Sequence, residues 1–451
     1  MSNQHITAII GMGKTGCSIA RFLQSRGKAC EAFDENGKVK LPEGLEIPLH
    51  TGRIKADALL RFGQVAVSPG VIWSHPALVA AREAGIPVFG DLDLFLEHFN
   101  GEILAVTGTN GKTTTVTLIG TLLETLPGGI EVAGNIGNPM LDMLSDSLRE
   151  EPRRTVLELS SFQLERCKGI RPKWAALLNV QPDHADMHES EAAYTAAKLR
   201  LFEQQGEGDT AMLPLEDRWN ELTDKLRGRG VQVLRFGRVE SFEQADAGIR
   251  IGAETELFWR QDDEVQSISE RNIISRGVHQ HLNMAVAAQA AADHGVSATV
   301  IGESMTSFRG LSHRVQDLGL FHGRHWYDDS KATNPDAAIA ALNAFDRVIW
   351  ICGGARKGLD LSPLRFAVGQ HVEHAYIIGK DAKAFKQLLE EAGVSCTIAV
   401  HLQKAVQLAA RYSDALPVLL SPAAASQDQF RDYADRGRQF AEAIRHLEKA
   451  A

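Results

Sequence analysis

The loop Gly108-Thr109-Asn110-Gly111-Lys112-Thr113 constrains this chain more than any other segment. The apolar run Ile103-Leu104-Ala105-Val106 precedes it, and residues 114–119 continue it as a helical stretch. That order reads as buried strand, glycine turn and helix start. Such a turn aims backbone N–H groups and a helix dipole at a phosphate. Lys112 is placed to reach the β- and γ-phosphates of a nucleotide, and the Thr113 hydroxyl to face Mg²⁺. The common phosphate loop has four residues between its glycines, where this one has two. A plain strand-to-helix turn gives no reason for a lysine at the helix mouth, so a nucleotide site is the favoured reading.

A chain of 451 residues exceeds one ordinary domain, and two or three are expected. A hydrophobic content of 44% suffices for packed cores. No apolar run approaches the ~20 residues that span a bilayer. The first residues lead straight into a strand without a charged and apolar leader, so no export signal is expected. The cysteines, Cys17, Cys30, Cys167, Cys352 and Cys396, are scattered and include no Cys-x-x-Cys pair. That disfavours a disulfide framework or a zinc site and fits a reducing cytoplasm. A net charge of -9 argues against a nucleic-acid surface.

The chain reads as three α/β stretches. The first opens with the strand Ile6 to Ile10, the turn Gly11-Met12-Gly13-Lys14-Thr15-Gly16 and a helix to about Arg26. A second strand, Ala29 to Phe33, ends at Asp34. This is Gly-x-Gly-x-x-Gly between strand and helix with an acidic residue roughly 20 positions on, which fits a dinucleotide. A nucleotide diphosphate held by the same turn fits equally. Ser68-Pro69-Gly70 follows the strand Val65-Ala66-Val67, where open α/β sheets bind ligands, although a simple tight turn reads the same way.

The second stretch begins near Leu92 and carries the phosphate loop. Glu158 stands inside the apolar strand Thr155 to Leu159. A carboxylate there is costly unless paired or metal-bound, and with a phosphate loop upstream a Mg²⁺ ligand is favoured over an ion-paired core glutamate. A strand over Trp174 to Val180 leads to Asp183-His184-Ala185-Asp186-Met187-His188. That cluster reads as metal chemistry or as a polar loop capping the helix that starts near Glu189; Mg²⁺ itself prefers oxygen ligands. Lys198 lies among alanines and leucines in that helix, and spacing alone does not single it out. Residues 210–275 read as short strands with one helix near 219–229; His279-Gln280-His281-Leu282-Asn283 then opens an alanine-rich helix over 284–292. The third stretch, from about Phe308, alternates strands and helices centred on residues 347–352, 375–378 and 418–420, with glycine-rich and polar loops at the strand ends. It reads as a doubly wound sheet.

Together these segments resemble the muramyl peptide ligases, ATP-dependent enzymes of peptidoglycan synthesis, over nearly the whole chain. The matching motifs are Thr107 to Thr113, Glu158-Leu159-Ser160-Ser161-Phe162-Gln163, Asn179-Val180-x-x-Asp183-His184 and Tyr194-x-Ala196-Ala197-Lys198, followed by Gly310-Leu311-x-His313-Arg314, Asp329 to Asn334, and Leu420-Ser421-Pro422 with Ser426, Asp428, Gln429 and Phe430. Asn110, the glycine-turn start and the Ser-Pro-Ala ending are similar to the glutamate-adding branch.

The resemblance implies an α/β protein of three domains: a Rossmann-like UDP-binding domain over 1–92, an ATP-binding domain with the phosphate loop over 93–308, and a Rossmann-like amino-acid domain over 309–451. It implies a ligase that joins D-glutamate to UDP-N-acetylmuramoyl-L-alanine through an acyl phosphate. ATP would be held by Thr107, Gly108, Thr109, Asn110, Gly111, Lys112, Thr113, Gln280, Asn283, Arg314 and Asp329. The UDP substrate would be held by Lys14, Thr15, Asp34, Glu35, Ser68, Pro69, Gly70 and Asn135. D-Glutamate would be held by Lys331, Thr333, Lys357, Ser426 and the backbone at Tyr433. Two Mg²⁺ ions would involve Thr113, Glu158, His184 and Lys198, with Lys112, His184 and Lys198 catalytic and Lys198 carbamylated. Gln280 stands where asparagine is expected. A cytoplasmic monomer with no nucleic-acid or membrane partner is expected. A folylpolyglutamate synthetase, or a nucleotide-dependent switch with a Rossmann appendage, is the rival reading; the first usually lacks the glycine-turn domain, and the second needs no amino-acid acceptor.

Overall fold

Parallel strands buried on both faces read as continuous apolar runs, and such runs organise three sheets in the computed structural model, which describes residues 3–135, 139–145, 154–181 and 190–449. The first sheet has strands β1 (Asn3–Ile10), β2 (Cys30–Asp34), β3 (Leu49–Thr51), β4 (Phe62–Val67) and β5 (Val88–Phe89). Their order is β3-β2-β1-β4-β5, all parallel. The chain turns one way after β1 and the other way into β4, so the ends of β1 and β4 flank the switch point where such sheets bind ligands.

The second sheet contains β6 (Glu102–Thr107), β7 (Glu131–Gly134), β8 (Arg154–Glu158), β9 (Trp174–Leu177), β10 (Thr210–Pro214), β11 (Gln232–Val239), β12 (Ala247–Arg250), β13 (Glu256–Gln261) and β14 (Glu264–Ser269). Its order is β14-β13-β12-β11-β10-β9-β6-β8-β7. The strands from β11 to β7 in that order are parallel. β6 therefore lies between β9 and β8, and its carboxyl end is the second switch point. The third sheet has β15 (Gln316–Phe321), β16 (Arg324–Asp328), β17 (Val348–Gly353), β18 (Val372–Ile378), β19 (Ser395–Val400) and β20 (Val418–Leu420) in the order β15-β16-β20-β17-β18-β19. Only β15 is antiparallel to its neighbour within this sheet.

Two compact units result: residues 1–248 with 258–266 and 285–301, and residues 249–257 with 267–284 and 302–451. One core runs through the first unit, from Ile9 and Ala66 through Phe95 and Phe99 to Leu157 and Leu177. In the second unit Trp350 and Phe385 pack on one face of the third sheet, and Trp326 and Phe440 on the other. Among the described residues no helix is long and apolar enough to cross a membrane.

Several boundaries differ from the sequence expectation. The strand expected over 174–180 closes at Leu177, because Leu178 and Asn179 turn to serve the phosphate loop: Leu178 N–H donates to Thr107 O and Thr109 N–H to Asn179 O. The alanine-rich helix spans Val278–Asp293, with the polar stretch His279 to Asn283 as its opening, as the sequence reads. The edge strand β19 has no counterpart in the expectation; its residues are mostly exposed, so it lacks a hydrophobic signature.

Candidate functional site

β6 ends at Thr107, and Gly108 (φ 154°) and Gly111 (φ 86°) turn the chain into the helix Lys112–Leu123. A glycine at the helix cap offers no side chain to the first-turn N–H groups, which suits a phosphate. A Cβ at Gly108 would meet Leu178 Cβ at 3.0 Å and Asn179 N at 3.3 Å, so close packing as well as φ favours glycine there. The loop is braced by Asn179, whose Oδ1 accepts from Asn110 N at 2.8 Å and whose Nδ2 donates to Asn110 O at 3.0 Å. Gln181 Oε1 accepts from Asn110 Nδ2 at 3.0 Å, and Thr107 Oγ1 donates to Leu159 O at 2.9 Å.

The charged groups converge on this loop. Lys112 Nζ donates to Gly108 O (2.7 Å) and Thr109 O (2.8 Å). Lys198 is buried and donates to the same Gly108 O at 2.9 Å. Its Nζ lies 4.3 Å from the Tyr194 ring centroid, and the Tyr194 hydroxyl pairs with Thr109 Oγ1 at 3.1 Å. Glu158, at the end of β8 and 3% exposed, accepts from Thr113 Oγ1 at 2.8 Å and from Asn135 Nδ2 at 3.1 Å. A carboxylate, a hydroxyl and a carboxamide form an oxygen-rich donor set that fits a hard cation such as Mg²⁺. Asn135, expected to contact the rest of the UDP substrate or its metals, stands in this cluster through its bond to Glu158. His184, with Asp183, lies outside the described residues.

The first glycine turn forms as expected. Asp34 Oδ2 accepts from Met12 N at 2.7 Å and its Oδ1 from Asn36 N at 2.8 Å, so this carboxylate braces the turn itself. Ser68 Oγ donates to Gly11 O at 2.6 Å and ties the Ser68-Pro69-Gly70 turn to it. Lys14 is exposed at the start of the helix Lys14–Ser25 and Thr15 is half-buried. Glu35 accepts from Ile54 N at 3.2 Å.

The remaining expected residues belong to the second unit. Gln280 and Asn283 lie on the helix Val278–Asp293, and the Gln280 Nε2 is buried without a hydrogen-bond partner among the described residues. Asp329 follows β16. It accepts from Ser421 Oγ at 2.7 Å and Val315 N at 3.2 Å, and burial pushes its carboxyl up to about 7, with Asp328 adding to the rise and Ser421 opposing it. Arg314 is half-buried in the segment before β15. Lys331 Nζ sits 4.0 Å from the Tyr433 ring centroid, and Tyr433 O accepts from Ser330 Oγ at 2.7 Å. Ser426 is buried, Thr333 half-buried, and Lys357 exposed at φ 50° in the loop after β17.

Two participants escaped the sequence reading, and a third, Tyr194, entered it only as part of the Lys198 motif without a role; its place four positions before Lys198 puts both on one helix face. Gln181 lies in the described stretch just after Asn179 and carries no motif of its own. Arg436, fully buried, donates to Ser330 Oγ (2.9 Å), Ser330 O (2.8 Å) and Ala424 O (3.1 Å). Burial pushes it down to about 10.

The switch-point loops and the lysine–glutamate–threonine cluster define a phosphate-loop α/β protein built for a nucleotide and a cation. Family profiles match along the chain: Mur ligase MurD-like, N-terminal domain over 5–90; Mur ligase middle domain over 106–291; and Mur ligase, glutamate ligase domain over 313–424. The UDP-N-acetylmuramoylalanine–D-glutamate ligase of Methylobacillus flagellatus is 34% identical, covering 98% of this chain and 97% of that one. The protein of that name from Nitrosomonas europaea is also 34% identical, over 98% and 96%. The UDP-N-acetylmuramate-alanine ligase of Thermotoga maritima shares the fold, with a TM-score of 0.59 at 18% identity over 98% and 99% of the chains. The chain belongs to the Mur ligase family, in its D-glutamate ligase branch.

Proposed function

We infer that this chain is an ATP-dependent ligase that joins D-glutamate to the L-alanine carboxylate of UDP-N-acetylmuramoyl-L-alanine. The convergence of Lys112, Lys198, Thr113 and Glu158 on one phosphate loop carries this reading. A carboxylate is a poor electrophile. Transfer of the γ-phosphoryl group of ATP makes it an acyl phosphate, which the D-glutamate amine attacks; the tetrahedral adduct then expels phosphate. The loop N–H groups and Lys112 orient the phosphates and balance charge in the transition state. Thr113 and Glu158 would hold Mg²⁺, with Asn135 fixing the carboxylate. When bound, Mg²⁺ supplies charge neutralisation on the phosphates.

Lys198 would act as a carbamate. A carbamate nitrogen keeps one N–H, so its bond to Gly108 O is compatible with the modification, and the carboxylate gained would supply an oxygen donor for the cation. The Gly11–Gly16 turn, Asp34, Glu35 and Ser68 to Gly70 would take the UDP moiety, with Lys14 and Thr15 at its phosphates. Gln280, Asn283, Arg314 and Asp329 are assigned to ATP, and Lys331, Thr333, Lys357, Ser426 and Tyr433 to D-glutamate. The boundaries 1–92, 93–308 and 309–451 give each sheet its own domain. A monomer in the cytoplasm completes the reading.

Phosphate release tests it. Turnover should require ATP, Mg²⁺, UDP-N-acetylmuramoyl-L-alanine and D-glutamate together. Full turnover without D-glutamate, or equal turnover with L-glutamate, overturns the assignment.

A further inference from the structure

Arg166 closes the six-residue helix Ser161–Arg166, which starts three residues after Glu158. Its side chain is 4% exposed and reaches out of the second sheet's layer to the turn after β4. There Nη1 donates to Ser68 O and Nη2 to Val71 O. These are the two ends of the turn holding Pro69 and Gly70, and Val71 N also donates to Ser68 O at 3.1 Å. The guanidinium thus spans the turn as a fork, a geometry a lysine ammonium lacks. Its carbon lies 5.7 Å from the Trp73 ring centroid.

Both sides of the clamp are anchored. On the helix side, Ser160 caps the helix and Gln163 Nε2 donates to the buried Asp91 Oδ2 at 3.1 Å. Lys168 N, just beyond, donates to Asp93 Oδ1 at 2.8 Å. On the turn side, Ser68 N donates to Ile10 O at 2.9 Å and Ser68 Oγ to Gly11 O. A continuous path therefore runs from Glu158 through the helix and Arg166 to the Gly11 turn. Burial pushes the Arg166 guanidinium down to about 10, while Glu165 and Asp91 oppose the fall. A cation kept in such surroundings, with its Nε unpartnered among the described residues, is expensive unless its position matters.

We propose that Arg166 is a positioning residue for the UDP substrate, holding the Ser68–Val71 turn in its binding shape from the helix that follows Glu158. The inference rests on the assignment of Ser68, Pro69 and Gly70 to that substrate. Arg166→Met keeps an apolar stem but removes both donors. Arg166→Lys restores a cation with its donors on a single nitrogen, without the planar fork.

The test is steady-state kinetics of the full chain with each substrate varied in turn, and calorimetric titration with UDP-N-acetylmuramoyl-L-alanine. Arg166→Met should raise KM for that substrate about 10-fold or more, with KM for ATP and the saturated kcat within about 2-fold of the parent, since charge-assisted bonds to both ends of the turn are lost. Arg166→Lys should recover part of the loss. An unchanged KM for the UDP substrate, or an equal fall in kcat with every substrate, overturns the proposal and leaves Arg166 a purely structural residue. Gly70→Val checks the underlying assignment, because a Cβ at Gly70 meets nothing within 4 Å. If Gly70→Val raises that KM and Arg166→Met does not, only the role of Arg166 fails. If Gly70→Val leaves it unchanged, the assignment of the turn fails and the inference with it.

Discussion

Gly16 gives the sharpest quantitative test of the first domain. A Cβ there would lie 1.9 Å from Gly11 O and 2.9 Å from Ser68 Oγ. Non-bonded heavy atoms settle near ~3.5 Å, so Gly16→Ala must open the turn by roughly 1.5 Å against a backbone carbonyl that cannot rotate away. Overpacking of this kind costs about 1–3 kcal/mol, and a rigid backbone neighbour puts it at the upper end. The displaced carbonyl also loses the Ser68 Oγ hydrogen bond at 2.6 Å, worth about 1 kcal/mol. Together that is about 3–4 kcal/mol, and the groups that move are those assigned to the UDP pyrophosphate. If the distortion falls on binding, the Kd for UDP-N-acetylmuramoyl-L-alanine rises about 100- to 1000-fold. Titration calorimetry measures it, with far-UV circular dichroism to show a folded chain. The phosphate loop serves as an internal control: KM for ATP should stay within about 2-fold. A folded Gly16→Ala protein with parental UDP-substrate affinity, or with both affinities lowered alike, refutes the reasoning.

Glu158→Gln should leave the fold intact, since an amide still pairs with Thr113 and Asn135, yet slow phosphate release about 100-fold or more and raise the Mg²⁺ requirement; a parental Mg²⁺ titration curve would exclude Glu158 as a cation ligand. Lys198→Ala should be nearly inactive and regain part of its rate with acetate but not with methylammonium, because the missing group is an anion; rescue by the amine alone would show that the lysine works through its positive charge. Asp329 has a folded pKa near 7, raised from 3.8 chiefly by burial. Its favourable contribution is therefore complete below about pH 4 and is lost as pH rises towards 7. Asp329→Asn should be no more stable than the parent at pH 4 but gain relative to it by pH 8, up to the order of 4 kcal/mol, while losing turnover. Urea midpoints across that range decide it, and a difference that does not grow with pH refutes the buried-carboxylate account.

The three sheets were legible because parallel interior strands write themselves as apolar runs ending in glycine or polar turns. β17 is buried at every position and stood out at once; β19, at the edge and mostly exposed, wrote no such run. The site was legible where a residue type is anomalous for its place, as with Glu158 in an apolar strand or Lys112 at a helix mouth. It was illegible where function comes from a tertiary contact. Arg166 ends an ordinary amphipathic turn, and only the fold shows its guanidinium on the carbonyls of Ser68 and Val71, nearly a hundred residues earlier. Asp34 is a second case. Its place at the end of β2 marks it only as the acidic residue of the glycine-turn pattern, and only the fold shows both its oxygens engaged by the backbone of Met12 and Asn36.

The carbonyl of Gly108 joins these lessons. It accepts from Lys112 at 2.7 Å and from Lys198 at 2.9 Å, so both of its lone pairs face cations and the lysines are near neighbours. Like charges at such a distance repel, and more strongly in a buried site than in water. The carbamate proposed for Lys198 would replace that repulsion by attraction while keeping one N–H for Gly108. The Tyr194 ring beneath Lys198 and its hydroxyl on Thr109 hold the helix to the loop through either form. With Lys198 in the proposed carbamate form, Lys112 would be the one cation of these two on the loop carbonyls. The sequence shows only a lysine among alanines and leucines; the shared carbonyl is the tertiary contact that supports the proposed modification.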